Sequence, residues 1–282
     1  MKKLLLTGSG GFVGQNLKRG LQDEYTLLTP RSAELDLRDA AAVKDFFASN
    51  DIDFIVHCGS TGGARGIQDV DTTIEDNLAM VDNLLSAKRT DTRMILFGSG
   101  AMYGKSRSLH KVKEDNVGSF VPEDLYGKSK MMIAQKVKDR ADVVCLNIFA
   151  CYGYGEKENR FPSYAINQAI KGEDIVINKN VVFDYLWIDD LGRIVSRFLE
   201  KQPTKNIINV TPTQSCELRE IAEMVKAISG KDISVICGDG LCNEYTGDNA
   251  RLLQEFHELT FTPLRKGLEK LYDYKKNGGW DD

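Results

Sequence analysis

The sequence predicts an α/β fold, a doubly wound parallel sheet with a smaller mixed α/β annex toward its C-terminal end. Three observations predict it. Through the first half, apolar runs of strand length alternate with amphipathic helical stretches, the pattern that right-handed strand-helix-strand crossovers produce. A glycine-rich turn, Gly8-Ser9-Gly10-Gly11, separates the first run from the first helical stretch. Past Gly153 the apolar runs shorten and the regular alternation stops. At 282 residues the chain exceeds the usual domain of about 100 to 200 residues and fits one large domain with an annex. The expected division is residues 1–155 for the sheet and 156–282 for the annex, with some chain crossing back to the sheet.

Residues 2–7 form an apolar run that ends at Gly8, and they read as a buried first strand. The following stretch, 12–21, places Phe12, Val13, Leu17 and Leu21 at helical spacing. Residues 25–28, 54–57, 94–98 and 142–148 are further continuous apolar runs, which suits strands covered on both faces. Between them, 41–49, 73–88 and 128–140 carry helical periodicity. The second half predicts a helix near 162–171, short strands at 175–177 and 183–187, helices at 191–200 and 217–229, and last helices at 249–255 and 263–276. No internal repeat or Ser/Gly/Pro-rich linker divides the chain.

With 37 Lys and Arg against 41 Asp and Glu, the formal net charge of -4 provides no field for gathering nucleic acid or an anionic membrane. Lys2 and Lys3 imitate the start of a secretory leader, but Thr7 and Gly8 end the apolar run short of the about 7 to 15 residues a leader needs. No apolar stretch approaches the about 18 residues of a membrane span, so a cytoplasmic protein is expected. The six cysteines form no CxxC pair and the three histidines no ligand spacing, so reduced thiols and no metal site are expected.

Gly8, Gly11 and Gly14 give a GxxGxxG spacing between the first strand and the first helix. In the Rossmann arrangement the first glycine permits the turn, the second lets backbone approach a pyrophosphate, and the third lets helix and strand pack closely. Residues 1–155 are therefore expected to bind a dinucleotide. No acid stands at the end of the second strand to take the adenosine ribose of NAD; Arg31 is the first charged side chain there, which favours the 2'-phosphate of NADP. Asp36, in Leu35-Asp36-Leu37, suits the adenine amino group or the start of the next helix.

Tyr126 and Lys130 stand four residues apart, on one face of a helix beginning there. A phenol is a poor acid or base at neutral pH until a neighbouring ammonium favours its phenolate, which is what a proton donor opposite a hydride donor requires. Ser99 follows an apolar strand, at the carboxyl edge where open α/β sheets bind ligands, and its hydroxyl suits a substrate oxygen.

The segments GSGGFVG (8–14), LDLRD (35–39), DNLAMVDNLL (76–85), GSGAMYG (98–104), YGKSK (126–130) and FDYLWIDDL (183–191) together resemble the extended short-chain dehydrogenase/reductase family of nucleotide-sugar epimerases and dehydratases, over nearly the whole chain. Within it the chain is similar to GDP-fucose synthases and 4-keto-sugar reductases, through RSAELDLRD (31–39), DFFASNDID (45–53) and Thr61-Gly62-Gly63. The resemblance implies Ser99, Tyr126 and Lys130 as catalytic residues. It implies that Phe12, Val13, Leu37, Cys58, Gly59, Ser60 and Asn77, with the glycines above, serve the cofactor, and that Thr61, Ser99, Met102 and Tyr126 meet the substrate. It also implies a homodimer and a place in cell-surface polysaccharide synthesis.

Departures from the family narrow the reaction. Gly100 and Ala101 stand where dehydratases resemble one another in an Asp-Glu pair, so elimination lacks its acid and base. Ala101 also takes the place of the epimerising Cys, and residues 153–160 contain no His, so double epimerisation loses its groups while ketone reduction keeps its own. Ala150 replaces a usual Asn, and Phe183 an Arg that meets the nucleotide diphosphate; Arg160 is the candidate replacement. The expectation is an NADP-dependent reductase of the 4-keto group of a nucleotide-activated deoxysugar, with NAD as the other cofactor. The alternatives are an NAD-retaining C4 epimerase and a non-catalytic NAD(P)-binding regulatory protein.

Overall fold

Leu4, Leu5 and Leu6 have no exposed surface, as a strand in the middle of a parallel sheet requires. The structure, a computed structural model, describes residues 1–279. Its first half runs β1 (Lys3–Thr7), α1 (Phe12–Leu21), β2 (Thr26–Leu28), α2 (Ala40–Ser49), β3 (Phe54–His57), α3 (Thr73–Ala87), β4 (Arg93–Ser99), β5 (Leu109–Val112), α4 (Leu125–Val137), β6 (Val143–Ile148) and β7 (Ala150–Tyr152). The second half runs α5 (Phe161–Lys171), β8 (Ile175–Ile177), β9 (Val182–Phe183), β10 (Tyr185–Trp187), α6 (Ile188–Glu200), β11 (Ile207–Val210), β12 (Cys216–Glu217), α7 (Leu218–Ser229), β13 (Val235–Cys237), β14 (Tyr245–Gly247), α8 (Ala250–Glu255) and α9 (Leu264–Lys276).

Six strands in the order β11-β6-β4-β3-β1-β2 make one parallel sheet, as the alternation predicts. Alternate residues of each strand face opposite cores. Leu4, Leu6, Val56, Ile95 and Leu146 join Leu17 of α1 and Ile194 and Phe198 of α6. On the other face, Leu5, Ile55, Met94 and Leu96 join Val43 of α2, Val81 of α3 and Ile133 and Ala134 of α4. Each fully buried aliphatic side chain contributes about 1.5 to 3 kcal/mol, and the two cores hold the strand ends in register.

Local signals set the helix starts. Asp39 caps α2, its carboxylate accepting from the Ala41 and Ala42 amides at 2.9 and 3.1 Å. Asp124 accepts from Gly127 N at 2.8 Å, so α4 opens at Leu125, earlier than the expected 128. The expected strand 183–187 is two strands. Asp184 between them has no exposed surface; its carboxylate accepts from Gly247 N at 2.8 Å, Ser215 Oγ at 2.6 Å and Lys111 Nζ at 3.1 Å. That turn sends β9 into a mixed sheet, β12-β9-β14-β5, while β10 pairs with β7. The outer strand β11 comes from the second half and pairs with β6 from Ile207↔Cys145 to Val210↔Ile148.

Candidate active site

A cleft of about 1330 Å³ opens at the carboxyl ends of the central strands, where an open parallel sheet offers a binding crevice. It runs from Phe12 and Val13, past Cys58, Ser60 and Ser99, to Arg160, Lys179, Phe183 and Tyr185 of the annex.

At the glycine turn, Gly8 has φ +67°, and a Cβ on it would lie 2.6 Å from Gly59 N. A Cβ on Gly14 would lie 2.2 Å from Gly8 O. Packing thus demands glycine at both places. Gly11 is different: its nearest neighbour would be 3.4 Å away, and what it provides is bare backbone at the head of α1. That helix has no side-chain cap and no acid in its first turn, and its first residues, Phe12 and Val13, face the cleft. An uncapped helix start with a side-chain-free approach fits a dinucleotide pyrophosphate.

Arg31, Asp36 and Leu37 lie beyond β2 and do not line the cleft. Arg31 is exposed, its amide donating to Glu34 Oε2 at 2.7 Å. Asp36 accepts from Arg38 N, Nε and Nη2 at 2.9, 3.0 and 2.7 Å, and that guanidinium holds its carboxyl down at about 2. Leu37 is buried, its carbonyl accepting from Asn83 Nδ2 at 2.9 Å.

Ser99 ends β4 and half-buries its hydroxyl; the Oγ accepts from Ala101 N at 3.2 Å as the chain turns into a 3-10 segment. Tyr126 sits in the first turn of α4, its amide donating to Asp69 Oδ2 at 2.8 Å. One turn on, the Lys130 ammonium lies 5.5 Å from the Tyr126 ring centroid and donates to Phe97 O at 2.8 Å. Only 6% of Lys130 is exposed. Buried Asn77 joins two segments: it accepts from Thr61 N at 2.7 Å, and donates to Thr61 O at 2.9 Å and to Ser129 Oγ at 3.0 Å. Ser129 Oγ in turn donates to Tyr126 O at 2.8 Å. Thr61 and Asn77 therefore brace α4 from behind the cleft.

Two neighbours are electrostatically silent. Burial, with the Lys130 charge adding to it, lowers the His57 imidazole to about 3, so it is neutral near pH 7, its Nδ1 paired with Thr7 Oγ1 at 2.7 Å. Burial pushes the Cys58 thiol up, which removes thiolate chemistry at neutral pH.

The structure thus gathers Phe12, Val13, Cys58, Ser60, Ser99, Tyr126, Lys130 and Arg160 on one cleft. It does not bring Met102 there: that side chain is 0% exposed and belongs to the core beneath β4. Asp69, Lys105, Lys179 and Tyr245 also line the cleft and escape a reading of the sequence. The cluster Gly62, Gly63 and Gly66, all at positive φ, signals the special loop that Asp69 closes. For Tyr245 no local signal exists.

A model of the NAD dependent epimerase/dehydratase family matches residues 4–211. GDP-L-colitose synthase of Yersinia pseudotuberculosis is 34% identical over 36% of this chain, a match that spans only 35% of that protein. GDP-L-fucose synthase 1 of Arabidopsis thaliana is 25% identical over 98% of this chain and 94% of its own. Among solved structures, a GDP-mannoheptose C4 reductase from Campylobacter jejuni with NADP bound superposes with a TM-score of 0.84 at 19% identity, covering 98% of each chain.

Proposed function

Because the chain belongs to the NAD dependent epimerase/dehydratase family, and so to the NAD(P)-dependent enzymes of the extended short-chain type, we propose that it is an NADP-dependent reductase of the 4-keto group of a nucleotide-activated deoxysugar. One observation carries the reading: Ser99, Tyr126 and Lys130 share a cleft with the uncapped start of α1. Gly11, Phe12 and Val13 would hold the pyrophosphate, and Arg31 the 2'-phosphate. When bound, the nicotinamide supplies the hydride that reduces the ketone carbon.

Ser99 Oγ donates a hydrogen bond to the ketone oxygen and fixes it. Tyr126 Oη gives that oxygen its proton, and the Lys130 ammonium, 5.5 Å from the ring centroid, stabilises the phenolate left behind. Arg160 and Lys179 on the annex side of the cleft suit the substrate diphosphate. Elimination is disfavoured because Gly100 and Ala101, next to Ser99, carry no acid or base. Residues 1–155 would then serve the dinucleotide and 156–282 mainly the sugar nucleotide; of the latter, 280–282 lie outside the described residues. A homodimer in the cytoplasm completes the proposal; among the described residues no helix is long and apolar enough to cross a membrane.

The test is Tyr126→Phe. We expect turnover of GDP-, dTDP- or UDP-linked 4-keto-6-deoxyhexoses to fall by about 10²- to 10⁴-fold with NADPH affinity nearly intact. Unchanged turnover refutes the assignment, and a tightly retained NAD without net NADPH consumption would point to a C4 epimerase instead.

A further inference from the structure

We propose that Glu156 is a positioning residue whose buried carboxyl closes the start of α5 and thereby holds Arg160 on the cleft wall for the substrate diphosphate. The proposal rests on the reductase reading above, which gives Arg160 that role, and adds the residue that keeps Arg160 in place.

α5 starts with few means of closing its first turn. Arg160 at the N-cap makes no capping bond with its own side chain, and Pro162 has no amide hydrogen to donate. The Ser163 amide donates instead to Glu156 Oε1 at 2.9 Å. That bond joins residues 156 and 163 and encloses Arg160 in the loop between them. Within the loop, Arg160 N donates to Lys157 O at 3.0 Å and Arg160 O accepts from Tyr164 N at 2.8 Å. A second tie runs outward: Asn159 Nδ2 donates to Arg65 O at 3.4 Å. Held at both points, the loop presents Arg160 to the cleft beside Phe161.

Glu156 is 5% exposed and Ser163 0%, and Glu156 Oε2 and Ser163 Oγ are enclosed with no hydrogen-bond partner among the described residues. Enclosing a carboxyl with one oxygen unpaired costs stability. Stability alone therefore does not account for a carboxyl here, whereas its reach past Pro162 to Ser163 does. Without that bond Arg160 has to be ordered at the moment the diphosphate binds, which weakens affinity. The chemical step is left alone, since Ser99, Tyr126 and Lys130 stand on β4 and α4.

The experiment compares Glu156→Met, Glu156→Gln, Arg160→Ala and the double variant of Glu156→Met with Arg160→Ala, using NADPH and a panel of GDP-, dTDP- and UDP-linked 4-keto-6-deoxyhexoses as probes. Glu156→Met fills the same space but accepts no hydrogen bond, and Glu156→Gln keeps an acceptor oxygen at the same reach. We expect Glu156→Met to raise the KM for the nucleotide sugar about tenfold, the worth of one hydrogen bond, with kcat and the KM for NADPH unchanged. Glu156→Gln should restore most of the loss, and in the Arg160→Ala background Glu156→Met should cost nothing further. An unchanged KM in Glu156→Met, the same rise with and without Arg160, or a joint loss of kcat, NADPH affinity and melting temperature overturns the proposal while leaving the reductase reading standing. An unchanged KM in Arg160→Ala overturns the role given to Arg160 and the proposal with it. No NADPH oxidation by the unaltered protein on any probe overturns the reading itself.

Discussion

Gly63 lies flat against the ring of Tyr126: a Cβ built on it would come within 2.9 Å of three ring carbons. Its φ of +74° is also one that side chains rarely adopt. The loop that carries it, and the helix that carries the phenol, are thus fitted to each other at the proposed proton donor. Gly63→Ala should push the ring aside, and a shift of about 1 Å at a reacting group costs about 100-fold. Turnover should drop by that order, while thermal unfolding registers a loss of only about 1 to 3 kcal/mol.

Asp69 clamps the same two segments, accepting from Gly63 N and Tyr126 N at 2.8 Å each. Asp69→Ala should loosen both, speeding amide exchange at Tyr126 and lowering kcat; Asp69→Asn, which keeps one acceptor oxygen, should restore much of the loss. Equal exchange rates in the two variants would contradict the clamp.

Arg31 presents an exposed guanidinium beyond β2, where a 2'-phosphate is expected. Removing a charge-assisted contact costs about 1.5 to 3 kcal/mol. Arg31→Ala should therefore raise the KM for NADPH by roughly 10- to 100-fold and leave that for NADH alone, as parallel saturation curves would reveal.

His57 makes stability depend on acidity. Its folded value, about 3, lies below the ordinary 6.5, so between these values the unfolded chain takes up a proton that the native state refuses. The stability it contributes is present above pH 6.5 and is lost as pH falls toward 3, with a slope of up to about 1.4 kcal/mol per pH unit. Denaturant titrations of His57→Gln should give a flatter profile across this window.

The strands β1, β2, β3, β4 and β6 of the parallel sheet were legible because each is largely an apolar run bounded by glycine or polar residues, and the glycine turn and the Tyr126-Lys130 pair are local patterns; β5, with His110 and Lys111 inside it, was not. The mixed sheet β12-β9-β14-β5 was not, since its strands span only two to four residues and their partners are far away in the chain. Asp184 hid the break between β9 and β10 inside an apolar stretch, its three bonding partners lying at residues 111, 215 and 247. Met102 stands next to Ala101 of the cleft wall, which in sequence terms favours a place in the cleft; the 3-10 turn rolls it inward instead. Asp69 and Tyr245 are placed by loop closure and sheet pairing, which no window of sequence contains.

β11 closes the outer side of β6, although nearly sixty residues separate the two (207 − 148 = 59). A fragment stopped before Ile207 would present the naked flank of β6, where Val143, Val144, Cys145 and Leu146 lie almost wholly out of water and where unpaired amides recruit any other strand. Such a piece would clump rather than stand alone, so grafting the sheet half of this enzyme onto another protein requires carrying the chain through Val210.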